Sequence, residues 1–492
     1  MSTIEEVRAV LKLRALQLLA LSFLLALIAA IIFLIGNTVR DPDIWWHLKV
    51  GDWIVGHHTV PYTGIFSRTA ATRPWIAYSW GYELLLSRCY AWFGLLGFAL
   101  FGAVMSVLVA FTLFWMMHRL CGSFWVAWIL SLIGSFAYLF SLMPRPVFLT
   151  MIFYTIELAL ILEAQRTGRI QALYWLPAIF VLWANIHIQF VYGLFVVGLF
   201  AGINLLQRLA TLAGMELRFF ETPSLPLMGP VGIFAACFGA TFIGPYSYHV
   251  YAVVATYSQS HVPYFMIQEL AAFDFLSFTH YVLLLLTCAA FFALGLRKKA
   301  GLFKLSLLIV ASVIAFRTQR DAWFLAIAAT SFIADYRSAE ERNSPALRAP
   351  ELIAVCAMVA AFMFLAAINT GFNTRNLDRA ISREYPVDAA NFLRQNPVSG
   401  PLYNTLDWGG FLIWYLPQYP VAVDGRNDLY GDELDLRFFK SEQGDSYTSD
   451  PYLNEAGVLL LPKAGPLAKL LTTDTRFHIV YQDQLSVVYV RT

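Results

Sequence analysis

The sequence predicts an α-helical polytopic membrane protein that carries a small α/β domain at its C-terminal end. Of its 492 residues, 59% are hydrophobic and 13% are charged, and the mean hydropathy is +0.62. Soluble proteins carry about 25% charged residues. The apolar residues form uncharged runs long enough to cross a bilayer, which takes ~20 residues per run. The tail, residues 370–492, differs in that short apolar strands alternate with helices there, as in small α/β domains.

Eleven segments are predicted to cross the membrane, and several of them are short. The first is too long for a cleaved signal peptide, so it is predicted to stay as an anchor. The eleven segments lie at about 14–35, 92–117, 124–141, 147–163, 172–184, 190–206, 230–244, 279–296, 304–316, 322–334 and 351–369.

The connecting segments alternate in basic content, and this alternation predicts the orientation of the chain. The segment "LRKKAGLFK" at 296–304 is rich in lysine and arginine, whereas the loop at 245–278 has neither. Because lysine and arginine are retained on the cytoplasmic side, the N-terminus is predicted inside and the C-terminus outside. We therefore predict a transmembrane domain at 1–369, whose first extracytoplasmic loop at 36–90 holds interfacial helices, and an extracytoplasmic α/β domain at 370–492.

The tail is predicted to begin with an amphipathic helix and to end in a hairpin that turns at "DQ". No glycine-rich phosphate loop is present anywhere in the chain, which argues against a nucleotide site, and no nucleic acid is predicted as a partner. The predicted elements are a helix at 386–395, strands near 400–404 and 420–424, an irregular segment at 431–450, a strand near 457–461, a helix near 465–472 and the hairpin at 476–490.

The first extracytoplasmic loop opens with "DPDIWWHLKVGDWI", residues 41–54, directly after the first apolar run. An aspartate before a proline is a typical helix start, so a helix is predicted from 42 to about 55. Asp43, His47 and Gly51 then share one ridge. Asp41 either caps this helix or takes part in chemistry. Asp43 and His47 are either a solvated pair or a carboxylate beside a histidine that can accept a proton or hold a metal ion.

Trp46, Val50, Trp53 and Ile54 form a neighbouring apolar face of the same predicted helix. Such a face suits a helix that lies flat at the membrane surface with its aromatic side among the lipid headgroups. The sequence therefore places the acidic ridge of this helix at the outer membrane–water boundary.

Seven motifs in order resemble the GT-C superfamily of integral-membrane glycosyltransferases, and most closely a group of bacterial membrane proteins assigned to it. The resemblance implies a glycosyltransferase in the bacterial cytoplasmic membrane, with a polyprenyl-phosphate-linked sugar as donor and an extracytoplasmic glycan, lipid or protein as acceptor. It also implies that Asp43 or Asp41, with His47, is catalytic; a divalent metal is a possible cofactor. The motifs are "DPDIWWHLKVGDWI", "FSRTAATRPWIAYSWGYELL", "LMPRPVFLT", "LWANIHIQFVYGL", "IQELAAFDF", "RTQRDAWFLAI" and "YNTLDWGGFLIWYLP…VAVDGRNDLYG".

A phosphate-bearing donor needs cations at the outer surface, and Arg145, Arg317 and Arg320 stand at predicted outer helix ends. The planar fork of arginine can bind two phosphate oxygens at once. The alternative to phosphate binding for each arginine is that its aliphatic stem lies in the bilayer while its guanidinium reaches water. Arg320 could also pair with its neighbour Asp321. The further substrate-binding candidates are Arg73, Trp75, His187, Glu269, Asp424 and Arg426, although an Asp-Gly-Arg after a strand is usually a turn with a local ion pair.

We predict that Asp43 is the catalytic carboxylate, that Asp41 mainly caps the helix, and that Gly51 leaves room for a substrate group. Two other functions remain open from the sequence. One is a lipid or glycan transporter or flippase. The clustering of polar residues at one face of the membrane, rather than at its midplane, argues against it. The other is a non-catalytic scaffold subunit of an envelope assembly, which Gly64 favours because related chains carry an acid there.

Overall fold

The computed structural model describes residues 2–34, 37–138, 144–215, 220–222, 225–262, 267–297, 299, 301–336 and 346–492. Residue 35 of the first predicted span, residues 139–141 of the third, residues 142 and 143 of "LMPRPVFLT" and residues 298 and 300 of the basic segment lie outside the described residues.

The described chain is mostly helical, with a small sheet near its C-terminal end. The α-helices are Ser2–Leu34, Asn37–Arg40, Asp43–His57, Trp80–Phe93, Leu95–Cys121, Phe124–Ala137, Val147–Thr167, Leu176–Ala184, Phe190–Leu212, Gly229–Ala240, Val250–Gln259, Phe278–Gly295, Leu302–Arg317, Ala322–Tyr336, Ala349–Thr370, Thr374–Glu384, Val387–Gln395, Leu406–Tyr415, Asn427–Glu442, Pro451–Glu455 and Pro466–Leu471.

Each of the eleven predicted spans coincides with an α-helix, and the helices Leu176–Ala184 and Phe190–Leu212 are separate, as the sequence predicted. A mostly helical chain with apolar helices of membrane-spanning length is thereby confirmed, whereas the count of eleven stays a prediction. Within the described residues, six helices are long and apolar enough to cross a membrane: Glu5–Ile31, Leu95–Cys121, Val147–Thr167, Phe190–Leu212, Phe278–Gly295 and Ala349–Asn369.

The chain divides into two compact units. The helical unit comprises Met1–Ile35, Gly102–Gly244 and Gln268–Thr370. Its most buried helix is Ala322–Tyr336, which packs against four other α-helices of this unit and leaves almost none of its side chains exposed. A helix that is apolar on every side suits the centre of a bundle.

The mixed unit comprises Gly36–Phe101, Pro245–Ile267 and Gly371–Thr492, so the predicted first loop packs with the tail. The proposed boundary at 369/370 between a membrane and an extracytoplasmic domain remains a prediction. The sheet of this unit has the order β1-β2-β4-β3, in which β1 and β2 are parallel and the other pairs are antiparallel. The strands are β1 (Leu402–Asn404), β2 (Val458–Pro462), β3 (Phe477–Gln482) and β4 (Ser486–Arg491).

The predicted strand at 420–424 does not form, because its backbone pairs elsewhere. The amide of Val421 donates to Phe66 O at 3.0 Å, and the amide of Arg68 donates to Val421 O at 2.8 Å, which makes an isolated parallel bridge with the first loop. The side chain of Asn404 bonds the amide of Ala422 and the carbonyl of Val423, both at 2.8 Å. The segment is therefore extended but held by a loop and an amide side chain.

Most of the segment at 431–450, predicted to be irregular, continues the helix Asn427–Glu442. Its buried residues Leu434, Phe438 and Ser441 recur at helical spacing. The sequence signal was obscured by Gly431, where the helix kinks with φ 71°, a left-handed conformation that glycine adopts without steric cost. The helices Thr374–Glu384 and Leu406–Tyr415 were also not predicted.

The first-loop helix Asp43–His57 agrees with the prediction of 42 to about 55. Its aromatic face, however, is buried in protein rather than placed in headgroups: Trp46 is 6% exposed and Val50 is fully buried. Trp45 is also fully buried, among four aromatic rings: Phe98 of the helix Leu95–Cys121, and Tyr385, Phe411 and Trp414 of the tail. This burial fixes the helix within the mixed unit.

Candidate functional site

The two aspartates of "DPD" have different partners at the start of the helix Asp43–His57. Asp41 Oδ1 accepts from the amide of Asp43 at 3.1 Å, and the carbonyl of Asp41 accepts from the amide of Ile44 at 3.3 Å. Asp43 Oδ1 accepts from the indole nitrogen of Trp46 at 3.0 Å. Asp41 is thus bound to the backbone of the first turn, whereas Asp43 presents a half-buried carboxylate that a side chain holds.

Gly425 closes against the carboxylate of Asp43. A Cβ at this position would lie 2.0 Å from Asp43 Oδ1 and 3.4 Å from Trp46 Nε1. No side chain fits there without displacing one of these groups. The glycine of "VAVDGRNDLYG" therefore lets backbone approach the carboxylate closely.

His47 has a partner that the sequence did not predict. Its Nδ1 lies 3.1 Å from Glu83 Oε1, and both side chains are buried. Gly51 does not leave room for a substrate: a Cβ there would lie 2.1 Å from the carbonyl oxygen of Glu83. The glycine instead allows the helices Asp43–His57 and Trp80–Phe93 to pack closely.

Asp424 and Arg426 form a fully buried, two-pronged ion pair. The guanidinium donates from Nε to Asp424 Oδ1 and from Nη2 to Asp424 Oδ2, both at 2.7 Å, and Tyr430 OH donates to the same Oδ2 at 2.7 Å. The guanidinium carbon lies 4.7 Å from the centre of the Trp75 ring. Burial alone would lower the pKa of Arg426, but the carboxylate of Asp424 raises it above its usual value. A local ion pair was one of the two predicted interpretations of this motif.

Trp75 and Arg73 connect the first loop to the same part of the tail. Trp75 Nε1 donates to Asp428 Oδ2 at 3.0 Å, and Arg73 Nη1 donates to the carbonyl of Tyr430 at 2.6 Å. Burial raises the pKa of Asp428 to about 7, although Arg426 and the bond from Trp75 oppose this rise. Burial and three neighbouring carboxylates likewise raise the pKa of Asp435 to about 8. The segment after Asp424 therefore holds carboxyl groups that titrate near neutral pH.

The remaining predicted residues belong to the helical unit, where two arginines meet one glutamate. Arg145 Nη1 donates to Glu269 Oε1 at 2.6 Å, and Arg320 Nη1 lies 3.9 Å from the same oxygen. Two guanidinium groups and one carboxylate therefore meet at this cluster. Arg317, at the end of the helix Leu302–Arg317, is exposed.

Asp321 makes hydrogen bonds with neutral donors, and the charge of Arg320 also acts on its carboxyl group. Gln189 Nε2 and Tyr192 OH donate at 3.0 Å and Thr318 Oγ1 at 2.6 Å.

His187 lies buried, with its Nδ1 2.9 Å from Thr150 Oγ1, which also accepts from Trp183 Nε1 at 2.8 Å. The histidine of "NIHIQF" is therefore part of a packed hydrogen-bond network in the helical unit. A role for His187 in substrate binding remains a prediction.

Sequence reasoning missed Glu83 as the partner of His47 and Trp46 as the donor to Asp43. Tyr82, Glu83, Leu86 and Ser87 form the buried stripe of the helix Trp80–Phe93, and their spacing of three and four residues was the available signal. Glu83 is an acid on that stripe. In the part of the chain that the structure describes, no three histidine, cysteine or acidic side chains form a group that could hold a metal ion.

Comparison with known proteins finds a similarity in structure and none in sequence. No model of a protein family matches the chain, and no curated protein matches its sequence. Among solved structures, the chain is similar to the crystal structure of ArnT from Cupriavidus metallidurans bound to undecaprenyl phosphate. The two are 13% identical over 96% of this chain and 98% of that chain, with a TM-score of 0.47.

Proposed function

We propose that this protein is a glycosyltransferase of the GT-C kind in a bacterial cytoplasmic membrane. It moves a sugar from a polyprenyl-phosphate carrier to an extracytoplasmic acceptor. The observation that carries the proposal is the carboxylate of Asp43, which the indole of Trp46 holds at the start of the first-loop helix. The resemblance of the first-loop motif to GT-C enzymes supports the same role.

In the proposed reaction, Asp43 accepts the proton of an acceptor hydroxyl as the acceptor oxygen attacks the anomeric carbon of the sugar. The new bond forms between that oxygen and the anomeric carbon, and the bond between the same carbon and the phosphate oxygen breaks. The leaving group is the polyprenyl phosphate, which carries away the bonding electrons as negative charge. A positioned base contributes ~10²–10⁴-fold to such a step.

The cluster of Arg145, Arg320 and Glu269 is proposed to bind the phosphate of the donor. Two guanidinium groups can share a phosphate through charge-assisted hydrogen bonds. Glu269 holds Arg145 at 2.6 Å and therefore fixes the direction of its fork.

Arg320→Ala should weaken binding of undecaprenyl phosphate about tenfold or more, because charge-assisted contacts contribute ~1.5–3 kcal/mol. The matched control is Arg166→Ala, since Arg166 also pairs with a glutamate, Glu163, at a predicted cytoplasmic helix end. Binding is measured with purified protein in nanodiscs. Equal affinity in the two variants would remove Arg320 from the phosphate site.

We propose eleven spans, with the N-terminus inside and residues 370–492 outside. In a chain without its native cysteines, an impermeant maleimide added to intact cells should label a cysteine placed at exposed Glu455. It should leave a cysteine in 296–304 unlabelled until the cells are opened, because the basic segment is cytoplasmic. The reverse labelling pattern would place Asp43 on the wrong side for an extracytoplasmic acceptor.

The direct test of the proposed function is release of undecaprenyl phosphate from undecaprenyl-phosphate-linked sugars by purified protein. Sugar must appear on an acceptor in equal amount. Movement of the carrier across vesicles without cleavage would instead support a flippase. Neither cleavage nor movement would support a scaffold subunit.

A further inference from the structure

Glu83 is a buried acid whose hydrogen bonding is incomplete. The residue is 1% exposed, and its Oε1 faces His47 Nδ1 at 3.1 Å. Its second oxygen, Oε2, is buried and has no hydrogen-bond partner among the described residues. An unsatisfied buried polar atom costs ~1–3 kcal/mol. A residue that served only to fill space would be apolar, so the retained carboxyl group indicates a role for its chemistry.

The surroundings of Glu83 favour a proton in its bond with His47. Burial raises the pKa of Glu83 well above its usual value, Arg426 lowers it, and Asp428 raises it further. The phenol of Tyr246 is a further titratable group whose pKa responds to Glu83. Whether the proton rests on the carboxyl or on the imidazole, one must lie between Oε1 and Nδ1 for the bond to form. In either case the hydrogen bond to Glu83 orients the imidazole of His47.

Contacts within one helical turn connect His47 to Asp43, the proposed base. The rings of His47 and Trp46 have centroids 3.6 Å apart, and Tyr82 packs edge-on against the imidazole at 5.3 Å. The indole nitrogen of Trp46 then donates to Asp43 Oδ1 at 3.0 Å. The imidazole is thus held by Glu83 on one side and lies against the indole that binds Asp43 on the other.

We propose that Glu83 is a positioning residue for Asp43: its hydrogen bond fixes the imidazole of His47, and the imidazole braces the Trp46 indole that holds the Asp43 carboxylate. The catalytic part of this inference rests on the proposed function, whereas the structural link between Glu83 and Trp46 does not. Residues that hold a reacting group in place affect the rate strongly, because a displacement of 1 Å can cost ~10²-fold.

Glu83→Gln tests the link, since it keeps the shape of the side chain and removes its titration. The probes are the side-chain nitrogen resonances of His47 and Trp46 in selectively ¹⁵N-labelled protein, assigned with His47→Gln and Trp46→Phe. Glu83→Gln should shift both resonances. The matched control, Glu455→Gln, removes an exposed acid of the same unit that pairs with Arg68, and it should shift neither. An unmoved Trp46 indole resonance in Glu83→Gln overturns the proposal.

His47→Gln serves as the test if Glu83→Gln does not fold. The Trp46 indole resonance of His47→Gln, compared with that of the native protein, should be shifted, because the imidazole lies against the indole; an unmoved resonance overturns the link. Once transfer is detected, Glu83→Gln should lower kcat about 10–100-fold with KM for the donor little changed. An unchanged kcat overturns the positioning role. Shifted resonances in a protein that transfers no sugar support the link and contradict the proposed function alone.

Discussion

Replacing Asp43 with asparagine should lower sugar transfer ~10²–10⁴-fold while the protein still folds and binds its donor. Asparagine has nearly the same shape, and its Oδ1 can still accept from the indole of Trp46, which Asp43 Oδ1 does at 3.0 Å. What the substitution removes is the capacity to take a proton from the acceptor. Transfer and donor binding are measured on the same purified sample, so that a loss of rate is separated from a loss of binding.

Asp41→Asn is the matched control, because it makes the same chemical change two residues away. The side chain of Asp41 accepts from the amide of Asp43, and asparagine accepts such a bond about as well as aspartate. Transfer should therefore change little. If Asp41→Asn were inactive and Asp43→Asn active, Asp41 would be the catalytic carboxylate and Asp43 would not. If both variants were fully active, the first loop would have no part in catalysis.

Breaking the Asp424–Arg426 pair should lower the free energy of unfolding of the mixed unit by ~3–5 kcal/mol. Both side chains are fully buried, so Asp424→Asn leaves a charged guanidinium without its counter-ion, and Arg426→Met leaves a charged carboxylate. The combined variant should be less destabilised than either single variant, because it leaves no unpaired charge. Arg437→Met is the control: Arg437 forms an exposed pair with Glu433 one turn away, a kind worth ~0.3–0.5 kcal/mol.

Unfolding of the mixed unit can be followed through Cys89, which is half-buried and the one cysteine of the described mixed unit. In a chain that keeps this cysteine alone, the rate of thiol labelling is measured against urea concentration. Arg426→Met and Asp424→Asn should be labelled at clearly lower urea than the native chain. If they were labelled like Arg437→Met, the pair would not be a source of stability.

The sequence predicted what depends on local pattern. Apolar runs, a proline after a capping aspartate and spacing of three to four residues each report on neighbours along the chain, so the apolar helices and the first-loop helix were predicted with close boundaries. Partners distant in sequence were not predicted. Glu83 lies opposite His47 because Gly51 lets two helices approach, and no pattern within either helix encodes that distance.

The same limit explains the errors in the tail. The segment at 420–424 has the composition of a strand, yet its hydrogen bonds go to the first loop and to Asn404. The role of Gly51 was misjudged because a glycine on a helix ridge suits a ligand and a neighbouring backbone equally well. Arg145 and Arg320 were predicted as separate outer cations, and Glu269 as a candidate of its own; only the structure joins the three at one oxygen.

The burial of Trp45 constrains the order in which the protein can be made. Three of the rings around it, Tyr385, Phe411 and Trp414, belong to the tail at 370–492. The first loop is thus synthesised more than three hundred residues before its indole can be enclosed. Throughout that interval of biogenesis, the indole of Trp45 lacks the rings that enclose it. A stop codon before residue 385 should consequently yield a chain whose early loop is a target for quality-control proteases.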